Sequence, residues 1–504
     1  MFWKIFMLAV FFLITVIVGF MFRKKANDVG SFVLGGRNVG PWLTAFAYGT
    51  SYFSAVVFVG YAGQFGWNYG ISATWIGIGN AVFGSLLAWV VLARRTRIMT
   101  KHLDAATMPD FFEKRYDSRA IKLISSLIVF IFLIPYSASV YKGLSGLFSM
   151  AFGIDVVYCI IIMAVFTAIY VIIGGYFATA VNDLIQGFIM IVGIILVIVA
   201  VLNGKGGFTN AINSLSQIEI EAAPNMKGAL VSFFGPDPIG LISVVIMTSF
   251  GAWGLPQMVH KFYTIKDERS IKSGTIISTV FALIIAGGSY FMGGFGRLYY
   301  SPENGKVLYD NIVPTMLSNQ LSDILIGVVL MLVLCASMST LSSLVITSSS
   351  TFVLDFIKDS LKINIDKKKQ LYFIRLLCAV FILISVVLAL NPNSLITALM
   401  SLSWGALAGA FVGPFMYGLF WKRVTKAAVW VSFICGVGFM TANLFISFMP
   451  MTMAATIAII ISLIIVPVAS LLTRKPDSGK VESIFSCYNE KVIAPTVEVL
   501  PDEE

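Results

Sequence analysis

Long apolar runs alternate along this chain with short polar stretches, and the polar stretches are of two kinds, rich or poor in Lys and Arg. A helix that crosses a bilayer needs about 20 mostly apolar residues, because each advances the axis by about 1.5 Å through about 30 Å of hydrocarbon. Runs of that length, bounded by charges or turn residues, fall at 3–22, 41–67, 72–93, 121–149, 156–174, 183–202, 237–259, 273–297, 321–354, 372–391, 394–420, 427–449 and 453–473. The pattern predicts an all-α polytopic protein of 13 transmembrane helices, passing repeatedly through the cell membrane with the lipid bilayer as its first partner.

The basic residues then orient the bundle. Six alternate stretches, 23–38, 94–122, 261–272, 355–375, 422–426 and 474–504, hold 29 of the 35 Lys and Arg residues. The other six are Lys4, Lys142, Lys205, Lys227, Arg297 and Lys306. Positive flanks stay on the cytoplasmic side, so the expected orientation is N-out, C-in. Lys4 is the only positive charge at the start of the first run, whereas Arg23-Lys24-Lys25 follow it. That is the reverse of a cleaved signal, and a retained helix is expected.

Composition sharpens this reading. The 504 residues are 58% hydrophobic and 12% charged, about half the charged share of a soluble domain. A net charge of +10 would suit nucleic acid if it formed a patch. Spent on topology, it implies no nucleic-acid partner, and no obligatory protein partner is evident. The five cysteines stand singly, four of them in apolar runs, and read as small core hydrophobes. His102 and His260 fall in or beside charged loops, and no span carries a His-Glu, paired-Asp or Ser-Lys set, so an enzyme is not expected.

Three segments interrupt the apolar pattern. The second run contains Gly49-Thr50-Ser51-Tyr52. The seventh contains Gly251-Ala252-Trp253-Gly254-Leu255-Pro256-Gln257, where Pro256 removes a helical hydrogen bond. These runs open two five-helix sets, the second to sixth and the seventh to eleventh. Paired interruptions of this sort free backbone carbonyls and helix ends for ions and polar solutes; glycine and proline also serve plain helix packing. The third is Ala336-Ser337-Met338-Ser339-Thr340-Leu341-Ser342-Ser343 in the ninth run. Adjacent hydroxyls and bared carbonyls suit a hard cation such as sodium, or simply bond back to the preceding turn.

Leu34-Gly35-Gly36-Arg37 with Gly40-Pro41, the Gly174-Gly175, Asn182-Asp183 and Gln186-Gly187 series, Gly254-Leu255-Pro256, and Met338-Ser339-Thr340-Leu341 resemble the sodium:solute symporter family. The resemblance runs along nearly the whole chain and is nearest the sodium/proline and sodium/pantothenate branches. It implies a leucine-transporter-type 5+5 inverted repeat with one helix before it and two after. The expected organisation is 1–38 (extra helix and cytoplasmic loop), 39–203 (first repeat), 204–236 (extracellular loop), 237–421 (second repeat), 422–473 (two C-terminal helices) and 474–504 (a polar, mobile cytoplasmic tail).

Carried over by motif, the sodium ion would be held by carbonyls of Thr50, Phe53 and Ala336 and hydroxyls of Ser339 and Thr340. Proline-type members carry Asp where this chain has Tyr52, and their aromatic substrate residues meet Thr248 and Ala252. Sugar-carrying members have a Glu-Gln pair where Val56-Val57 stand and a Glu where Thr74 stands, which disfavours a sugar. A hydroxyl that serves a second sodium site in some members is replaced by Val57, though Asp183, another ligand there, is retained; one coupled ion is expected.

The solute, a small organic molecule such as an amino acid or a carboxylate (pantothenate or proline), is expected beside Tyr52, Ser54, Trp253 and Gln257. Asp183 opens the sixth run, as a helix cap and as part of an ion path. Arg37 either closes the cytoplasmic gate or sets topology. Lys142 stands near the outer interface, about 30 Å up its helix at about 1.5 Å per residue, as a snorkelling lysine or a counter-ion for a carboxylate. The function expected is sodium-coupled symport into the cell by alternating access. The alternatives are proton coupling, or a transporter-like sensor or sodium-leak channel; a sensor would carry a signalling domain, whereas about thirty residues follow the last run.

Overall fold

The computed structural model describes residues 2–22, 28–220, 224, 226–302, 305–318, 321–360, 366–391 and 395–489. The basic triplet 23–25 and the acidic end 502–504 lie outside the described residues. Within them the chain is helical throughout, and its one extended pairing is a parallel bridge between Val39 and Ile265. Ten described helices are long and apolar enough to cross a membrane, and an eleventh candidate is a pair bent by 49°, Pro238–Gly254 with Pro256–Tyr263. Large apolar side chains such as Leu383, Val387, Ile434, Phe445 and Leu472 stand exposed on the outside, which only lipid can cover. This is a multi-pass membrane protein.

The thirteen expected runs do not appear as thirteen separate helices. The second is cut at Phe53, and its far half joins the third through a tight turn at Gly70–Ala73 to make one path, Val56–His102. The fifth and sixth lie on one path, Val156–Asn203, bent where Gly175 adopts φ 59°, ψ −168°. That conformation is open to glycine and strained for any side chain.

Helix Asp323–Thr351 lies at the centre, packed on Phe2–Phe22, Pro41–Tyr52, Arg119–Phe152 and Val156–Asn203. Every residue from Leu332 to Thr351 is buried. A helix polar on so many positions can be buried because its hydroxyls bond internally: Ser337 donates to the Val333 carbonyl at 2.6 Å and Ser342 to that of Ser339 at 2.8 Å. Elsewhere helices approach backbone to backbone. A Cβ on Gly66 would lie 2.1 Å from the Gly293 carbonyl.

One end of the bundle gathers the basic residues. Lys122, buried, meets Asp110 at 2.9 Å, Glu113 at 2.8 Å and Asp355 at 3.6 Å. At the other end Lys4 meets Asp323 at 3.0 Å and the Ala151 carbonyl at 3.4 Å. The expected mobile tail is ordered in its first part. Helix Ser478–Phe485 and the turn after it dock on the basic face, Tyr488 donating to the Leu419 carbonyl at 2.7 Å beneath the Arg95 guanidinium. Apolar Phe485 and buried Cys487 interrupt the polar composition and supply the docking surface. Lys480, hydrogen-bonded to Asp117 at 2.8 Å, holds that carboxyl below its ordinary range.

Candidate functional site: a broken-helix cation cage

Helix Pro41–Tyr52 starts on Pro41, whose missing N–H costs nothing at a first turn. The expected interruption at Gly49–Tyr52 falls one residue later, at Phe53 (φ −112°, ψ 105°). The polar residues stay helical because Thr50 bonds back to the Phe46 carbonyl at 2.8 Å and the Phe53 N–H still reaches Gly49 at 3.2 Å. Beyond the break Ser54 starts the next half: its hydroxyl accepts from Val56 N–H at 3.2 Å and its carbonyl from Val57 at 3.0 Å and Phe58 at 3.2 Å. A helix that ends this way leaves its last carbonyls without their partners. Here those of Thr50 and Ser51 are bared, at full burial.

The central helix brings two hydroxyls to them. Ser339 Oγ lies 3.1 Å from the Thr50 carbonyl, 2.9 Å from that of Cys335 and 3.1 Å from that of Ala336. Thr340 Oγ1 lies 3.3 Å from the Thr50 carbonyl, 3.4 Å from that of Ser51 and 3.0 Å from that of Ala336. Each hydroxyl has one proton to donate. Two protons serve six contacts, so the cage is rich in lone pairs and poor in hydrogen. A cation of sodium's size, close to that of Ca²⁺ with oxygens at about 2.3–2.6 Å, would set neighbouring oxygens about 3.3–3.7 Å apart in an octahedron. The observed spacings are a few tenths of an ångström short of that, and the donor set is the hard, uncharged kind such an ion takes. Four of the five expected ligands, Thr50, Ala336, Ser339 and Thr340, are therefore together. Phe53 adjoins them, sharing with Ala336 the wall of a cavity of about 10 Å³, room for at most one water.

The second break, at Leu255 (φ −82°, ψ 121°), is set by Pro256 as first residue of the following helix. Gly251 and Gly254 press it onto helix Ile396–Phe420: a Cβ on Gly254 would lie 2.9 Å from Ala408 Cα, and one on Gly251 3.0 Å from the Trp404 ring. Tyr52 joins the two breaks by donating its hydroxyl to the Thr248 carbonyl. Its ring stacks on Phe53 (4.4 Å) and Trp404 (6.0 Å), and Tyr136 meets Trp404 edge-on at 6.0 Å. The Tyr136 hydroxyl, against Ser54 and Trp404, makes no well-formed hydrogen bond. Trp404 Nε1 and both amide atoms of Gln257 are likewise buried and unpartnered.

Of the expected solute residues, Tyr52 and Ser54 border this aromatic corner, and Gln257 presents free polar atoms. Trp253 turns away, its indole committed to the Phe83 carbonyl at 2.9 Å. Tyr136 and Trp404 escaped the sequence reading. Their only signals were Pro135 beside one and the Ser401–Ser403 cluster beside the other.

Arg37 donates to the Ala105 carbonyl at 2.6 Å and, at 3.5 Å, to Thr100 and the Tyr263 carbonyl. Beside it the Val39 N–H bonds the Thr264 carbonyl and the Lys266 N–H bonds that of Val39, each at 3.1 Å. The basic-face ends of both broken helices are thereby sewn together. Asp183 corrects its expectation as a cap. It lies eight residues past Gly175, inside the helix, fully buried, with neither oxygen accepting a hydrogen bond. Lys261, counted above among loop charges, is buried in helix Pro256–Tyr263. So is His260, between Tyr176 and Tyr263. Lys142 donates to the Asn391 carbonyl at 2.7 Å beside a cavity of about 350 Å³ that also holds Asp310.

The sodium:solute symporter family model matches residues 32–436, and the chain belongs to that family. A sodium/proline symporter of Staphylococcus aureus is 29% identical over 490 residues, covering 94% of this chain and 93% of that protein. An osmoregulated proline transporter of Bacillus subtilis (strain 168) is 29% identical, covering 85% and 86%. Among solved structures, a Na⁺-coupled sialic acid symporter in a substrate-bound outward-open state shares the fold with a TM-score of 0.75 at 18% identity, over 95% of this chain and 99% of that one. Mhp1, a nucleobase-cation-symport-1 family transporter, aligns with a TM-score of 0.55 at 12% identity, over 92% and 99%. The protein is thus a transporter of the sodium-coupled solute-symport class.

Proposed function

We propose that this protein carries a small amino acid or organic carboxylate, with pantothenate and proline among the candidates, into the cell on one sodium ion per cycle. The observation that carries the reading is the cage itself. Bared carbonyls of one broken helix face paired hydroxyls of the central helix, with more lone pairs than protons. The ion would be held by the carbonyls of Thr50, Phe53 and Ala336 and the hydroxyls of Ser339 and Thr340. In doing so it ties the first broken helix to the central one and orders the aromatic corner, where Tyr52, Ser54, Tyr136, Trp404 and Gln257 receive the solute. None of these five side chains is charged, so a carboxylate on the solute would find its balance in the ion. The relatives named for proline support the size class. Tyr52, where proline carriers have Asp, leaves the exact solute to experiment.

In this proposal thirteen segments cross the cell membrane as a 5+5 inverted repeat with one helix before it and two after. The N-terminus is outside and the C-terminus inside. The pairing of Lys4 with Asp323 and Ala151, at the opposite end of Arg119–Phe152 from the basic face, supports that orientation under the positive-inside rule. Arg37 and the Val39–Lys266 pairing form the cytoplasmic gate. One charge crossing 100 mV supplies about 2.3 kcal/mol and a tenfold sodium gradient about 1.4, enough for a solute ratio of several hundredfold.

Uptake of labelled pantothenate, proline, other small carboxylates and a hexose into proteoliposomes tests the reading. Accumulation of one acid or amino acid on an inward sodium gradient supports it. Accumulation that follows a proton gradient with sodium absent refutes it.

A further inference from the structure

The basic face carries a cavity that the proposed symport cycle does not use. It holds about 750 Å³, within the about 300–1,000 Å³ of small-molecule sites. Three parts of the chain converge on it: the end of helix Met108–Tyr116, the turn into helix Lys426–Ile446, and the segment from Arg474 through helix Ser478–Phe485. Among its described lining residues six are Lys or Arg and two are Asp, a net of four positive charges. The docking that gathers these charges is largely apolar. Val481 is 5% exposed, and Phe485 lies under the Arg115 guanidinium at 5.0 Å.

Both acids are already engaged. Asp117 holds Lys480 at 2.8 Å, and Asp477 caps its own helix by accepting from the Gly479 N–H at 3.0 Å. Lys114 is committed as well, to Asp110 at 3.0 Å and the Asp104 carbonyl at 2.8 Å. Arg115 donates to two neutral carbonyls, those of Gly418 at 2.9 Å and Trp421 at 3.0 Å. Lys426, Arg474 and Lys475 are exposed and make no hydrogen bond or ion pair among the described residues. Four cations thus meet around one cavity with no carboxylate paired to any of them, an arrangement that repels itself until an anion enters.

The rim decides which kind of anion fits. Helix Met451–Leu472 ends there with Leu471 59% and Leu472 81% exposed, apolar area that acyl chains cover. Arg423, three residues past exposed Phe420, donates to the Leu471 carbonyl at 3.0 Å, so the ends of two spanning helices stand level. Hydrocarbon therefore gives way to headgroups where the cavity opens. We propose that the cavity binds the phosphate of an anionic phospholipid headgroup through Lys426, Arg474 and Lys475, with Arg115 adding its field and the acyl chains lying on the exposed leucines. Basic clusters at that depth attract anionic lipid, and a guanidinium matches the geometry of phosphate. The lipid braces helix Ser478–Phe485 against helix Met108–Tyr116 by cancelling the repulsion between them.

Binding of phosphatidylglycerol with a fluorescent acyl chain to the purified full-length protein in neutral maltoside micelles tests the site. The wild type is expected to bind it saturably, with unlabelled phosphatidylglycerol displacing it and phosphatidylcholine not. Lys426→Gln/Arg474→Gln/Lys475→Gln is expected to bind about 100-fold more weakly, and each single change about fivefold, which serves should the triple variant fail to fold. Lys101→Gln/Arg269→Gln/Lys272→Gln removes as many exposed charges elsewhere on the basic face and is expected to bind as the wild type does. Equal weakening in that control, or none in the first triple variant, overturns the site. Inorganic phosphate or glycerol phosphate that displaces the lipid at equal concentration makes this a site for free phosphate and overturns the lipid assignment. Without lipid, the first triple variant should unfold no earlier than the wild type, because it loses repulsion and no bond. Earlier unfolding would show that the three cations have structural partners and would refute the proposal.

Discussion

Thr340 offers a quantitative test of the cage, because its hydroxyl lies within 3.4 Å of carbonyls from both broken-helix residues, Thr50 and Ser51, and from Ala336. Replacing it by valine keeps the branched shape and removes only the oxygen. A hydrogen bond or ligand contact to a charged group is worth about 1.5–3 kcal/mol, and about 1.4 kcal/mol is tenfold. The sodium concentration for half-maximal uptake should therefore rise by about 10- to 150-fold in Thr340→Val. Thr340→Ser keeps the oxygen and should stay within about threefold of wild type, while Thr340→Ala should match valine and add a small void. The assay is initial uptake at saturating solute across a sodium series, with thermal unfolding of the purified variants as a folding control. A valine variant with wild-type sodium dependence, or a serine variant as impaired as valine, would refute the assignment of the hydroxyl as a ligand.

Other contacts make their own predictions. Trp404→Phe and Tyr136→Phe each remove a buried, unpartnered polar hydrogen at the aromatic corner; each should raise the solute concentration for half-maximal uptake by about 5- to 10-fold, one hydrogen bond's worth, with sodium dependence unchanged. Arg37→Ala strips the Ala105 carbonyl of a charge-assisted donor. In a cysteine-less background, thiol labelling of Ser343→Cys from the basic face should then rise about tenfold, and unchanged labelling would rule out the gate. Gly66→Ala drives a Cβ into the Gly293 backbone and should abolish folded protein on size-exclusion chromatography. Gly146→Ala meets nothing within 4 Å and should be as stable as wild type or slightly more so.

The sequence by itself determined that the chain lives in lipid, because an excess of apolar runs about 20 residues long has no other solvent. It also marked the second interruption, since Pro256 removes a helical hydrogen bond by covalent structure alone, and it placed the first one residue early, at Gly49–Tyr52 instead of Phe53. The Ser339–Thr340 hydroxyls were legible as a cluster in one apolar run, and the motif resemblance implied Thr50, Phe53 and Ala336 as their partners; that Thr50 and Ala336 lie within 3.4 Å of those hydroxyls is a fact of the fold.

What the sequence could not decide was distance. The true break at Phe53, Trp253 turning to Phe83, and Tyr136 and Trp404 converging from helices 268 positions apart all depend on side-chain packing across the bundle. Lys261 shows the limit most sharply. In the chain it is one of four basic residues in the stretch 261–272, indistinguishable from a topology signal. Only the bend at Leu255 carries it inward to donate to Ser343, because burial and the position of a charge are set by the fold around it.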